Sequence, residues 1–126
     1  MRINRFEDIE AWQQARELTR QIYACTRKPA FARDYGLKDQ IQRAVGSVMH
    51  NIAEGFDAGS NPEFIRFLRY AQRSCTELQS ELYVALDQKY ISQDEFNALY
   101  SLSQAVRATI GAFIKYLLDY ARKSKA

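Results

Sequence analysis

The stretch Leu37–Phe56, LKDQIQRAVGSVMHNIAEGF, decides the fold of this 126-residue chain. One set of apolar residues recurs every three or four positions, the period of one face of an α-helix: Leu37, Ile41, Val45, Val48, Ile52 and Phe56. A second set with the same period is polar and comprises Gln40, Arg43, Ser47, Asn51 and Glu54. The stretch therefore predicts a long helix with a buried face and a polar face. We expect it to end at Gly55, because glycine suits a left-handed helix cap.

Three more stretches share this period, and the predicted helices cover about 7–28, 37–56, 61–89 and 93–121. Pro29 stops the first helix, and Ser60 with Glu63 and Ser92 with Glu95 have the spacing of capping boxes that begin the last two. The chain has only five Gly and two Pro, which favours long helices over a many-stranded fold. We predict an all-α, single-domain protein over residues 1–126, an antiparallel up-down-up-down four-helix bundle.

Composition and charge narrow the class of protein. The 18 basic and 15 acidic residues give a net charge of +3, which permits contact with nucleic acid without requiring it. Cys25 and Cys75 match no metal motif or disulfide framework, so we expect reduced thiols, no metal and no cofactor. The sequence begins without an apolar signal region, and no run of apolar residues is long enough to cross a membrane. We therefore expect a cytoplasmic protein.

A line of charged residues on the third predicted helix matches the polar line of the second. If the two helices form a hairpin that turns near Gly59, facing residues have numbers that sum to about 120. The predicted pairs are Glu54 with Arg66, Asn51 with Arg69, Ser47 with Arg73 and Arg43 with Glu77. The expected result is a polar seam beside the core, which sets the register of the two helices. Its structural motif comprises Arg43, Asn51, Glu54, Gly55 and Glu77.

The same arginines permit a second interpretation. Arg66, Arg69 and Arg73 recur every three or four residues, so they could instead form a basic face for phosphates. The end of the fourth helix adds further positive charge, and Tyr116 and Tyr120 beside it suggest an interface with a second copy. The candidate nucleic-acid-binding residues are therefore Arg66, Arg69, Arg73, Arg122, Lys123 and Lys125.

The sequence contains no clear catalytic motif. His50 is the only histidine, and its spacing from Arg43 is that of HEPN-type helical ribonucleases. General acid–base catalysis needs a positioned partner, and the sequence offers no second base beside His50. We therefore predict no catalytic residues, no enzyme and no small-molecule substrate. A HEPN-like ribonuclease that uses Arg43 and His50 is the alternative function.

An ordered set of residues from Phe6 to Leu117 resembles the bacterial 23S rRNA intervening-sequence protein family. Its landmarks are Phe6-Glu7-Asp8, Trp12, Gly36-Leu37, Gln40, Arg43-Ala44, Ser47, Asn51-Ile52-Ala53-Glu54-Gly55-Phe56, Glu63-Phe64, Phe67-Leu68, Ala71, Ser74 and Glu77-Leu78. The stretch Asp57-Ala58-Gly59 and Arg73 depart from the family pattern, which often has an Arg and a Gly there. The resemblance implies a homopentamer of helical bundles without enzymatic activity. Function is then expected to be binding or scaffolding, with RNA or DNA as a candidate partner.

Overall fold

The structure is a computed structural model that describes residues 3–125, apart from the side chains of residues 121, 124 and 125. After a short 3-10 helix, Phe6–Asp8, come five α-helices: α1 (Glu10–Thr26), α2 (Pro29–Arg33), α3 (Tyr35–Phe56), α4 (Asn61–Asp87) and α5 (Gln93–Lys125). No strand occurs within residues 3–125. The predicted all-α class is confirmed, and α1, α3, α4 and α5 are the four long helices.

The main differences from the predicted boundaries lie in the first third of the chain. The predicted loop after α1 contains α2, whose first residue is Pro29, a position that tolerates proline because no helical partner is lost. Helix α3 begins at Tyr35, two residues before the predicted start of this helix, because the Asp34 side chain caps it. Asp34 Oδ1 accepts a hydrogen bond of 3.1 Å from the backbone N–H of Leu37.

Both predicted capping residues accept a hydrogen bond at a helix start. The hydroxyl of Ser60 accepts from the backbone N–H of Glu63, and that of Ser92 from the N–H of Glu95. The Ser92 box is reciprocal, since the backbone N–H of Ser92 donates to the Glu95 carboxylate at 2.8 Å. Glu95 also forms an ion pair with Lys28, which ties the start of α5 to the end of α1.

Each long helix contacts two others: α3 packs against α1 and α4, and α5 packs against α4 and α1. Polar contacts give the direction of three pairs. Gln42 donates to Thr26, and Thr19 donates to the carbonyl of Val45, so α1 and α3 run antiparallel. Ser74 donates to Ser47, and further along the hairpin Gly55 lies against Phe64, so α3 and α4 also run antiparallel. Gln79 donates to Ser103 and Gln72 to the carbonyl of Arg107, which gives α4 and α5 the same antiparallel direction.

The predicted apolar face of α3 is buried from Leu37 to Ile52. In α5 the residues that recur at alternating three–four spacing are buried from Phe96 to Ile110 and again at Leu117. Phe113 on the same line is half-buried and Tyr120 is exposed, while Ile114, outside the line, is buried. The reason is that an alternating three–four spacing has a period of 3.5 residues. A straight helix has 3.6, so its buried face moves around the sequence pattern.

Gly55 does not cap α3, so that prediction is wrong. The helix continues past it to Phe56, and Gly55 is buried where α3 crosses α4. A Cβ atom on Gly55 would lie 2.8 Å from both the Cδ1 of Phe64 and the Cβ of Phe67. Glycine is needed there for close approach of two helices. The left-handed conformation belongs instead to Gly59 in the following turn, with φ +88°.

Candidate nucleic-acid interface

The register between α3 and α4 is close to the prediction. Ser74 Oγ donates to Ser47 Oγ at 2.9 Å, so Ser47 lies beside Ser74 where the prediction placed it beside Arg73. The Asn51 amide donates to both the carbonyl and the hydroxyl of Ser47, at 2.8 and 2.9 Å. The polar contact between these two helices is therefore made by short, uncharged side chains.

The predicted ion pairs of the seam are wrong. The charged residues are all exposed, and no ion pair joins them across α3 and α4 in the described part of the chain: Arg43, Glu54, Arg66, Arg69, Arg73 and Glu77. The predicted height along the hairpin was nearly right, but one residue corresponds to a rotation of about 100° around a helix. That rotation carries Arg73 away from α3, and exposure avoids the cost of burying charge.

Three arginines of α4 line a groove that α4 forms with α5, which we call the arginine groove. Its volume is about 340 Å³, and its walls are Arg66, Arg69, Tyr70, Gln72, Arg73 and Arg107. The three α4 arginines were predicted from the sequence as nucleic-acid-binding residues, whereas Arg107, which lies on α5, was not. The spacing along α4 places Arg66 and Arg73 about 10 Å apart along the helix axis. Four guanidinium groups thus converge on one open surface.

Arg66 is held in place within the groove. Its guanidinium donates to both carboxylate oxygens of Glu63, at 3.1 and 2.8 Å, and to the Tyr70 hydroxyl at 2.9 Å. Hydrogen bonding to Glu63 raises the pKa of Arg66 further above its already high ordinary value. The guanidinium carbon also lies 5.4 Å from the ring centre of Phe67 and 5.5 Å from that of Tyr70.

The other three arginines keep their charges available. Arg69, Arg73 and Arg107 are exposed, and their side chains form no hydrogen bond or ion pair with any described residue. Only the backbone of Arg107 is bonded, since its carbonyl accepts from the Gln72 amide at 3.4 Å. Guanidinium groups without carboxylate partners are ready to bind phosphate oxygens in a bidentate manner.

Two of the three predicted basic residues at the chain end lie on the described surface. Arg122 and Lys123 are exposed on the last turns of α5, and the side chain of Lys125 lies outside the described part. Arg122 is 15 residues after Arg107, about four full helical turns, so the two share one face of α5. Lys115, also exposed, lies between them on that face. These residues add positive charge along α5 beyond the residues that line the arginine groove.

A second polar groove lies between α1 and α3. It has a volume of about 330 Å³ and is lined by Tyr23, Asp39, Gln42, Arg43, Gly46 and His50. The structure thus brings together the two residues of the alternative ribonuclease function, Arg43 and His50. Among the described residues, however, the imidazole of His50 has no hydrogen-bond or ion-pair partner that would position it as an acid or base.

Outside the two polar grooves, the described residues form an apolar cleft and bury one cysteine. An apolar cleft of about 670 Å³ at one end of the helices is lined by Phe56, Phe64, Phe113, Leu117 and neighbouring side chains. Cys75 is fully buried, and burial raises the pKa of its thiol to about 12. Residues 3–125 contain no cluster of three or more potential metal-ligating side chains. None of the described helices is long and apolar enough to span a lipid bilayer.

Glu81 is a buried acid that the sequence pattern did not reveal. It lies on α4 with 9% of its surface exposed, and its Oε1 has no hydrogen-bond partner among the described residues. Burial, with a smaller contribution from Glu77, raises the pKa of Glu81 to about 7. Glu81 is not part of the arginine groove, and its effect is on stability.

These features define an all-α protein with a basic groove between two of its long helices. The chain belongs to the 23S rRNA-intervening sequence protein family, whose model matches residues 7–112. Its fold is similar to the crystal structure of a protein of unknown function from the S23 ribosomal protein family of Bacteroides thetaiotaomicron. That similarity has a TM-score of 0.76 at 21% identity, over 83% of this chain and 98% of the other. No functionally curated protein matches the sequence.

Proposed function

We propose that this protein is a non-enzymatic binding module that contacts the phosphate backbone of nucleic acid through the arginine groove. The single observation that carries the proposal is the convergence of Arg69, Arg73 and Arg107, three exposed guanidinium groups from two helices, without a carboxylate partner. Repulsion among like charges costs stability. A bound anion would relieve that repulsion, which favours an anionic ligand there.

The packing of the long helices would hold the arginine groove in a fixed shape. We interpret the antiparallel packing of α1 with α3, and of α3 and α5 with α4, as an up-down-up-down four-helix bundle. In such a bundle the groove between α4 and α5 is straight and set by rigid helices. Arginines on rigid helices hold a fixed spacing, which suits a regularly charged polymer better than a single small anion.

Self-association belongs to the same proposal. Tyr116, Leu118 and Tyr120 are exposed near the end of α5, each with between 43% and 59% of its surface accessible. Aromatic side chains are enriched at protein interfaces, and the apolar cleft adjoins this end of α5. A pentamer, as the family resemblance implies, would repeat the arginine groove five times. The mass in solution distinguishes it directly from a single 14.6 kDa chain.

Neutralising the arginine groove is expected to weaken RNA binding by at least about tenfold at ~50 mM salt. The test variant is Arg69→Gln, Arg73→Gln and Arg107→Gln combined, measured with a fluorescent single-stranded RNA. Loss of three phosphate contacts should also lower the slope of log affinity against log salt by about 2.

The control removes the same net charge elsewhere, as Arg16→Gln, Arg27→Gln and Arg33→Gln combined, all exposed on α1, α2 or the turn between them. It should bind RNA almost as the unmodified protein does. Equal losses in the two triple variants would show that binding depends on net charge alone, and would contradict the assignment to the arginine groove.

Incubation with the same RNA is expected to leave it intact. The second polar groove offers His50 no positioned partner, so its imidazole lacks the support that general acid–base catalysis needs. Products separated on a denaturing gel provide the measurement. Cleavage that disappears in His50→Ala, and survives in the unrelated variant Glu54→Ala, would support the HEPN-like alternative and contradict the non-enzymatic proposal.

A further inference from the structure

Arg66 differs from the other arginines of the groove because it is paired with a carboxylate, which indicates a different role in binding. Its charge is already engaged, because its guanidinium makes two hydrogen bonds to the carboxylate of Glu63. A phosphate would have to compete with that carboxylate. Arg69, Arg73 and Arg107 lack such a competitor among the described residues. We therefore assign phosphate binding to those three arginines. Arg66 has no unpaired charge to offer, so its contribution to binding is of another kind.

What Arg66 contributes is a flat surface with a fixed orientation. The bidentate contact with Glu63 and the hydrogen bond to the Tyr70 hydroxyl hold the guanidinium in one plane. Beside it, the half-buried rings of Phe67 and Tyr70 pack edge to face with centres 5.9 Å apart. The Arg66 side chain nevertheless remains 52% exposed. Arg66 and Tyr70 therefore form a rigid, partly exposed platform of planar groups.

Planar cationic and aromatic side chains are the groups on which proteins stack unpaired nucleobases. The platform lies in the same groove as Arg69 and Arg73, which follow it by about one and two helical turns along α4. A base on the platform would thus have its own backbone within reach of the phosphate-binding arginines. The groove, at about 340 Å³, has the size of a small-ligand pocket and suits one base better than a double helix.

From this geometry we infer that the arginine groove selects single-stranded nucleic acid, by stacking an unpaired base on the Arg66–Tyr70 platform. In a duplex each base already stacks on its neighbours and cannot lie on a side chain. The inference rests on the proposed function, since it assigns the strand type that the same groove takes. RNA and DNA share the base and phosphate groups involved, so both are covered.

The test compares four ligands of equal length: a uridine decamer, a thymidine decamer, an abasic phosphodiester decamer and a GC-rich RNA duplex of ten base pairs. The unmodified protein should bind the uridine and thymidine decamers about 5- to 150-fold more tightly than the abasic one, the range expected for one stacked base. The duplex offers no unpaired base to the platform, so its affinity should be the same for the unmodified protein and for Arg66→Lys. Equal affinity for the abasic and base-containing decamers would overturn the inference.

Arg66→Lys is the decisive variant, because it keeps the positive charge and removes the planar group. It should bring the preference for bases over the abasic decamer close to one, with the salt dependence unchanged. Tyr70→Leu should act in the same direction, and if Tyr70→Leu fails to fold, Arg66→Lys decides alone. Tyr23→Leu, in the other polar groove, is the matched control and should keep the preference.

The outcomes separate this inference from the proposed function. If the protein binds all single strands with a steep salt dependence but shows no preference for bases, the stacking platform is wrong and the phosphate groove stands. If the protein binds neither the abasic nor the base-containing decamers at low salt, the proposed function fails and this inference fails with it. A preference for bases that survives Arg66→Lys would contradict the platform as well.

Discussion

Gly55→Ala is expected to destabilise the protein by about 2–3 kcal/mol, although alanine is the better helix former. The added Cβ would lie 2.8 Å from the Phe67 Cβ and the Phe64 Cδ1, and 3.2 Å from the carbonyl oxygen of Phe64. A ring atom can move, but a backbone carbonyl and a Cβ cannot move without shifting α4. The helices must therefore separate where they are closest, and the packing beside Gly55 is lost.

Gly46→Ala is the matched control within the same helix. A Cβ there would meet only the imidazole of His50, at 3.7 Å, which is an ordinary contact. Alanine should therefore stabilise the protein by about 0.5–1 kcal/mol through its helix propensity. Urea unfolding of both variants, followed by circular dichroism, gives the two free energies. If Gly55→Ala is as stable as Gly46→Ala, the close contact of α3 with α4 is incorrect.

Glu81→Gln is expected to stabilise the protein by about 2–3 kcal/mol at pH 8 and to have little effect below about pH 4.5. Burial raises the pKa of Glu81 to about 7 in the folded protein, against an ordinary value of 4.5. The folded state therefore holds a proton that the unfolded state has released between these two pH values. Stability from this group is fully present below pH 4.5 and declines as pH rises toward 7. The neutral amide avoids that decline.

The measurement is the free energy of unfolding at several pH values from 4 to 8, for the unmodified protein and Glu81→Gln. The difference between them should grow through this range by up to about 1.4 kcal/mol per pH unit. Glu54→Gln serves as the control, because it makes the same chemical change at an exposed position. A flat difference for Glu81→Gln would show that its carboxylate is solvated in the folded protein.

Much of the fold follows from the sequence because the apolar period is strong. The stripe from Leu37 to Ile52 determines the buried face of α3, and the capping signals at Ser60 and Ser92 determine where α4 and α5 begin. The turn near Gly59 also fixed the height at which α3 meets α4, to within one residue. These features depend on local spacing, and local spacing can be read directly from a sequence.

Features that depend on how the helices pack against one another could not be predicted from local spacing. The hairpin register predicted the position of Arg73 along α4 but not the side of the helix on which it lies. Arg73 was therefore predicted to lie in the polar seam, whereas it is exposed. Arg107 lies on α5, and its place in the arginine groove depends on how α5 packs against α4. Burial of Glu81 likewise depends on packing between helices, and its neighbours Leu78 and Leu82 gave no sign of it.

The role of Gly55 shows how one residue supports two structural explanations. From sequence, a glycine near the end of a periodic run indicates a helix cap. In the structure, α3 extends to Phe56 and the left-handed turn residue is Gly59, so Gly55 serves the contact with α4 instead. Both explanations predict that alanine at Gly55 destabilises the protein, because a left-handed cap also disfavours a Cβ atom. The contact with α4 adds the cost of overpacking at a buried position.

The central claim is that nucleic acid lies in the arginine groove, and arginine side-chain NMR tests it most directly. Each Nε–H group gives its own signal, and the spectra would be recorded before and after addition of a single-stranded RNA at low salt. If nucleic acid lies in the arginine groove, the signals of Arg69, Arg73 and Arg107 will shift together while that of Arg43 in the other polar groove stays in place. A shift of Arg43 with unchanged signals from the three groove arginines would contradict it.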